Sequence, residues 1–271
     1  MIAAIELSAL DLGLAALLLV LNAGVATALR IPLGRRILTS ALRATVQLAA
    51  IGFVLLWVFA AEGPARVLAM LVAMALLAGF EALRRSGVRV RGLAPLALGV
   101  MLVSSLTVTL YGTQLVLRVE PWYAPQYLVP ILGMVLGNAL NGVSLGMDTV
   151  LRGFREQKDR VELLLSHGAT PWEASRDVVR EAVRTGMIPI LNSMAAAGVI
   201  SIPGMMTGQL LAGEDPGTAA RYQLFILFCI AGGVALGTLG VVLGSVRLVF
   251  DERMRLRTDW LRVPQDEKER G

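Results

Sequence analysis

Seven stretches of this chain contain no Asp, Glu, Lys or Arg: residues 12–29, 44–61, 67–80, 92–117, 121–147, 185–213 and 222–246. A helix rises 1.5 Å per residue, so roughly 20 apolar residues cross a hydrocarbon core about 30 Å thick. Six of the stretches hold 18 residues or more; the third holds 14 and reaches that length only by running on through Glu81 to Leu83. One apolar run alone reads equally well as a buried core helix, but seven in 271 residues do not. Inside lipid every backbone N–H and C=O must be paired within its own segment, which makes helices the expected form. The 28 glycines are compatible with this, since glycine is common in membrane helices. The expected fold is therefore an all-α, polytopic membrane protein with about seven transmembrane helices.

Charge is scarce and unevenly placed. Only 17% of residues are charged, against about 25% in soluble domains. Basic residues favour the cytoplasmic loops. When the spans are taken in order, 21 of the 25 Lys and Arg fall on one side and three, Arg66, Arg118 and Arg221, on the other. Arg43 lies at the mouth of the second span. Omitting the short third span would move Arg30, Arg35 and Arg36 to the poor side, which supports keeping it. The amino terminus is thus expected outside and the carboxyl tail inside. The net charge of +5 reflects this topology and contact with anionic lipid, not nucleic acid. A cleaved signal peptide is not expected, because Glu6 and Asp11 stand where a basic segment should be. The lone Cys229 cannot form an internal disulfide and reads as a packed apolar residue. Arg outnumbers Lys 23 to 2, which hints at a GC-rich bacterial genome and so at a bacterial plasma or inner membrane.

One membrane domain is expected over 1–271, with a cytoplasmic insertion at 148–184 and a tail at 248–271. In the insertion, Val161, Leu164 and Leu165 recur at helical spacing among charged residues. Gly168 suits a left-handed helix end. Thr170, Pro171 and Glu173 follow as N-cap, first helical residue and capping-box partner. The spacing predicts one helix stopping at Gly168 and another starting at once, with Trp172 beside the corner. The segment is either an ordinary hairpin or a docking element for a partner.

Catalytic chemistry is missing. The two lysines, Lys158 and Lys268, lie outside any phosphate-binding loop motif. A single His167 and a single cysteine cannot assemble a zinc site or a Cys/His nucleophile pair. The chain is not expected to be an enzyme, and uphill transport driven by ATP would need an ATPase on another polypeptide. Polar residues within spans are costly and mark either helix contacts or a pathway. These are Asn138 and Asn141 in the fifth span, Asn192 and Ser193 in the sixth, Gln47, Ser104, Ser105, Thr107 and Thr109 elsewhere, and Glu81 where it could pair with Arg84 or Arg85. Met134, Met147, Met187, Met194, Met205 and Met206 crowd the later half; thioethers bind soft metals but serve more often as flexible packing. Gly233, Gly237, Gly240 and Gly244 form a helical stripe fit for packing within the chain or in a homodimer. Pro203-Gly204 breaks the uncharged sixth stretch, so 201–213 reads as a re-entrant segment or an external loop.

Taken together, several segments resemble the FetB/YbbM-type permeases of ATP-binding cassette (ABC) transporters. They are Gly137–Asn141, Gly168–Thr170, Ile188–Met194, Ser201–Gln209, Gly213 and Tyr222-Gln223. The resemblance covers nearly the whole chain. It implies the membrane subunit of an exporter that works with a separate nucleotide-binding subunit and ATP held there, and itself binds no cofactor. Iron or another metal is the implied cargo, with a nucleotide sugar as the alternative. The glutamate-to-glycine spacing of the cytoplasmic coupling motif of importer-type ABC permeases is kept by Glu162 and Gly168, with Leu163 and Leu164 in place of its alanines. By this resemblance Glu162, Gly168, Thr170 and Trp172 couple to the ATPase, Asn138, Asn141, Asn192 and Met194 line the path, and the permease works as a homodimer. Readings of another class are an ATP-independent channel or secondary transporter and a non-transporting scaffold.

Overall fold

A computed structural model describes residues 8–59, 63–86, 90–251 and 253–257. Glu6, Arg89, Lys268 and the part of the expected tail beyond 257 lie outside the described residues. Among the described residues the secondary structure is helical, apart from isolated bridges at Ala197–Ser201 and Phe250–Leu256. The chain divides into two compact units.

The first unit is a hairpin of α1 (Ala9–Ala28) and α2 (Gly34–Phe59), grouped with residues 208–214. Ser8 and Asp11 form a reciprocal capping box at the start of α1. Apolar residues are exposed around α1, Leu10, Leu14 and Leu18 among them, as in a helix with lipid for a solvent. Gly34 is where the helices touch: a Cβ there would lie 2.5 Å from Thr27 Oγ1 and 2.8 Å from the Ala23 carbonyl oxygen.

The second unit is a bundle. Its helices are α3 (Pro64–Arg85), α4 (Leu93–Leu110, extended by a π-helical turn at Tyr111–Val116), α5 (Pro125–Glu156), α6 (Lys158–Ser166), α7 (Pro171–Ala174), α8 (Arg176–Ala196) and α10 (Pro216–Val249). The short α9 (Gly204–Leu211) starts in this unit. Close contacts give the directions. Gly79 meets Leu98, and Gly240 and Gly244 meet Val100 and Leu96, so α4 runs against α3 and α10. Gly142 meets Gly186 and Gly153 meets Val178, so α8 runs against α5. The amino ends of α3, α5 and α10 therefore share one end of the bundle. Their carboxyl ends, with Arg84, Arg85, Arg152, Arg155 and Arg247, share the other.

Glycine sets the helix spacing. The stripe on α10 faces inward: Gly233 opposes Val135, Gly237 opposes Val143 and Ser104, and Gly240 and Gly244 oppose α4. Of the two readings left open by the sequence, the stripe serves packing within the chain. Tightest is the meeting of α5, α8 and α10. Cβ atoms on Gly142 and Gly186 would fall 2.8 Å and 2.6 Å from Thr238 side-chain atoms and within 3.0 Å of one another's carbonyl oxygens. Thr238 is fully buried and its hydroxyl oxygen has no hydrogen-bond partner.

Among the described residues six helices are long and apolar enough to cross a membrane: Leu10–Ala28, Gly34–Phe59, Pro64–Arg85, Leu93–Val116, Pro125–Glu156 and Pro216–Val249. The third, shortest of the charge-free stretches, is a full helix. The sixth stretch, 185–213, is not one continuous span. α8 spends its first turns on charged residues and stops at Ala196; Gly198, at φ 81°, and Pro203 then turn the chain before α9. The eight residues of α9 rise only about 12 Å. Of the seven expected spans, six are thus met by a single long apolar helix, and the sixth stretch is divided by this break. Main-chain groups freed at such a turn must find partners. Ala197 donates to the Ser193 carbonyl, and the Gly198 and Ser201 amides donate to Ser201 and Ala196.

Two substitutions at the three-helix contact separate close packing from polarity. Gly186→Leu should destabilise the detergent-solubilised protein by on the order of 3 kcal/mol, because backbone must move. Thr238→Val should leave Tm unchanged or raised, since it deletes a hydroxyl without a partner. Scanning fluorimetry of both variants against the parent checks each direction.

Candidate functional site

The corner between α6 and α8 is built from two local motifs back to back. α6 ends in a Schellman motif: the Gly168 amide donates to Leu165 at 3.0 Å and the Ala169 amide to Leu164 at 3.1 Å. Gly168 has φ 89°, and a Cβ on it would meet open space, so only backbone conformation demands glycine there. Thr170 then caps α7. Its amide donates to Glu173 Oε2 at 2.8 Å, and the Glu173 amide returns a bond to Thr170 Oγ1 at 3.3 Å. Helix, turn and helix start fall where the residue spacing predicts them.

The corner is tied to the helices behind it. α5 passes into α6 through one residue, Gln157, whose amide donates to Gly153 and whose carbonyl accepts from Val161. Ser175 links α7 to α8 in the same way, with its carbonyl accepting from Val179. Across the corner Arg160 Nη2 and Asp177 Oδ2 lie 2.6 Å apart, and Val161, Ala174 and Ser175 are buried. The outward face is free: Leu163 is 58% exposed, Trp172 45% and Leu164 37%. Glu162 is exposed beside them, 3.8 Å from Lys158 Nζ. Charged and apolar groups thus share one rigid, solvent-facing knuckle at the basic end of the bundle. His167 stays local, with Nδ1 2.8 Å from the Leu163 carbonyl oxygen.

The polar residues of the spans are not gathered into one site. Asn138, half-buried, donates to the Met134 carbonyl one turn back. Asn141 turns toward α3, where its amide oxygen accepts from Arg85 Nη1 at 2.9 Å. Glu81 pairs with Arg84 at 3.4 Å and Arg85 at 3.8 Å. Asn192 is exposed on α8. Ser104 donates to Val100 and Ser105 to Met101, spending both hydroxyls on their own helix. What converges is thioether. Met134, Met187, Met194 and Met205, from α5, α8 and α9, all pack on one buried cluster that includes Val135, Ile190, Cys229 and Ile230. The π-helical end of α4 borders it, since Gly112 sits against Cys229 Sγ and Phe225. Among the described residues no group of three or more His, Cys, Asp or Glu stands ready to hold a metal ion.

Spacing could not show the Arg160–Asp177 and Arg85–Asn141 contacts, which join distant residues on different helices. The convergence of Met194 with Met205 is likewise set by the turn at 197–203 rather than by periodicity.

Glu173 gives the corner a pH signature. Hydrogen bonds from the backbone and then the side chain of Thr170 hold its carboxyl below the usual glutamate value. A lowered folded value means that the stabilisation is complete above the ordinary glutamate range and is lost as pH falls through the folded value. Trp172 fluorescence, with the other three tryptophans replaced, should stay flat from pH 8 to about 5.5 and change only in more acid solution. Thr170→Ala should destabilise the corner by about 1 kcal/mol, seen as faster amide exchange over 168–175.

Comparison with known proteins places the chain. The family described as uncharacterised protein family UPF0014 matches residues 9–250. The chain is 36% identical over 219 residues to UPF0014 membrane protein slr1647 of Synechocystis, covering 79% of this chain and 83% of that one. It is 28% identical to the probable iron export permease protein FetB of Escherichia coli, covering 91% and 93% of the two chains. Similarity to the Arabidopsis thaliana protein ALUMINUM SENSITIVE 3 is 31% identity, over 73% and 71%. No solved structure matches. With its apolar helices and a family match from end to end of the helical region, this chain belongs to the UPF0014 family of membrane proteins.

Proposed function

We propose that this chain is the membrane-spanning permease subunit of an ABC exporter, with iron or another metal as cargo and ATP hydrolysed by a separate nucleotide-binding subunit. The observation that carries this reading is the knuckle at Glu162–Trp172: rigidly capped, continuous with α5 and α8, and open on its apolar face. A motor protein needs such a handle, and the chain has no phosphate-binding loop of its own. The similarity to a probable iron export permease supports the cargo.

The excess of arginine at the knuckle's end of the bundle supports a cytoplasmic location for that end. Since α5 and α10 run in parallel, the chain must return between them. α8 with the turn at 197–203 makes that return, a seventh, interrupted crossing. In this reading the amino terminus lies outside and the carboxyl terminus inside the plasma membrane of a bacterium, and the permease acts as a homodimer. ATP-driven closure of the motors would push the knuckle and tilt α5 and α8. The cargo path would pass Asn138, Asn141, Asn192 and Met194, and beside Met194 the thioethers of Met134, Met187 and Met205 would add weak soft ligands that release as readily as they bind.

Co-expression with an ABC-type ATPase of the same genome tests the handle. Gly168→Leu, strained by its left-handed backbone, should cut permease-stimulated ATP hydrolysis about tenfold or more, while size-exclusion behaviour stays normal. Unchanged stimulation would remove the docking role. Reconstituted transport that ignores ATP and follows an ion gradient would instead favour a channel or secondary transporter.

A further inference from the structure

The turn joining α1 and α2 holds a cavity of about 570 Å³ whose lining includes Thr27, Arg30, Gly34, Arg35, Arg36 and Thr39 and no carboxylate. No Asp or Glu occurs from residue 12 to residue 61, and the one carboxylate of the two helices, Asp11, caps the opposite end of α1, so nothing within the hairpin stands near the turn to neutralise its three clustered guanidinium groups. The charges are also badly placed for an isolated helix. Arg35 and Arg36 occupy the first turn of α2, with no acidic residue there, at the end where the helix dipole is already positive. Arg30 reaches the same cavity from a left-handed backbone, φ 56°, which an arginine rarely adopts. The tight contact at Gly34 brings the first turn of α2 against α1 and so concentrates the three groups. The threonine hydroxyl protons are spent on their own helices, Thr27 on the Ala23 carbonyl and Thr39 on that of Arg35. The remaining donors are guanidinium forks, together with the free amides of a helix start, and both suit phosphate oxygens.

We propose that this turn binds a phosphate-bearing anion. Its position between two membrane-length apolar helices sets the cavity at the depth of lipid headgroups, so an anionic phospholipid is the expected source. The site stands independently of any ATPase, because it depends only on the hairpin. Bound there, a headgroup would neutralise the arginines and pin the turn to the membrane surface.

The test uses the purified full-length chain in neutral detergent, titrated with phosphatidylglycerol and read by native mass spectrometry. Glycerol 3-phosphate and inorganic phosphate are titrated in parallel by thermal shift. Arg30→Asn, Arg35→Gln and Arg36→Gln together should lower phosphatidylglycerol affinity by on the order of tenfold or more; asparagine tolerates the left-handed backbone, so the turn keeps its shape. A control with Arg176→Gln and Arg180→Gln, exposed on α8, should bind like the parent. A thermal shift with glycerol 3-phosphate that vanishes in the triple variant, with no preference for phosphatidylglycerol in the mass spectra, would support the site and make a soluble phosphate ester its occupant. Unchanged lipid affinity in the triple variant, or an equal loss in the control, would overturn the proposal. The Arg35→Gln, Arg36→Gln double variant repeats the measurement if the triple variant does not fold.

Discussion

The bundle depends on one constraint: α5, α8 and α10 must approach until backbone nearly touches backbone. In lipid the hydrophobic effect gives no reward for bringing apolar helices together, so close packing has to supply the association. Gly142, Gly186 and the buried Thr238 provide it, and the inward glycine stripe of α10 carries the same close fit along to α4. Once these helices are fixed, the ends of α5 and α8 lie side by side, and the short connection between them has little choice but to form a tight corner.

The corner is rigid for local reasons and positioned for global ones. A Schellman ending and a capping box satisfy the orphan backbone groups on either side of Gly168. The Arg160–Asp177 pair is exposed and contributes little stability; continuity of α5 with α6 and of α7 with α8 matters more. This arrangement leaves Leu163, Leu164 and Trp172 partly exposed above a backbone whose hydrogen bonds are satisfied.

Much of this was legible in the amino-acid sequence, and the parts that were not share a cause. Charge-free runs gave the helices, because lipid punishes every charge in a span. Thr170, Pro171 and Glu173 gave the corner, because capping is a local code. The sixth run misled: absence of charge says nothing about continuity, and α8 breaks at Gly198 and Pro203 within an unbroken apolar stretch. Asn138 and Asn141 share a helix face by spacing, yet one bonds its own helix and the other Arg85. Which partner a polar side chain finds depends on neighbouring helices, and periodicity does not encode that. The Gly142–Gly186 contact was hidden for the same reason, since the two glycines lie on different elements.

α5 hands over to α6 through Gln157 alone. Gly142, Gly146 and Gly153 lie against α8 and α10 along the second half of α5, so the corner is moored to the bundle at three depths rather than at its own root alone.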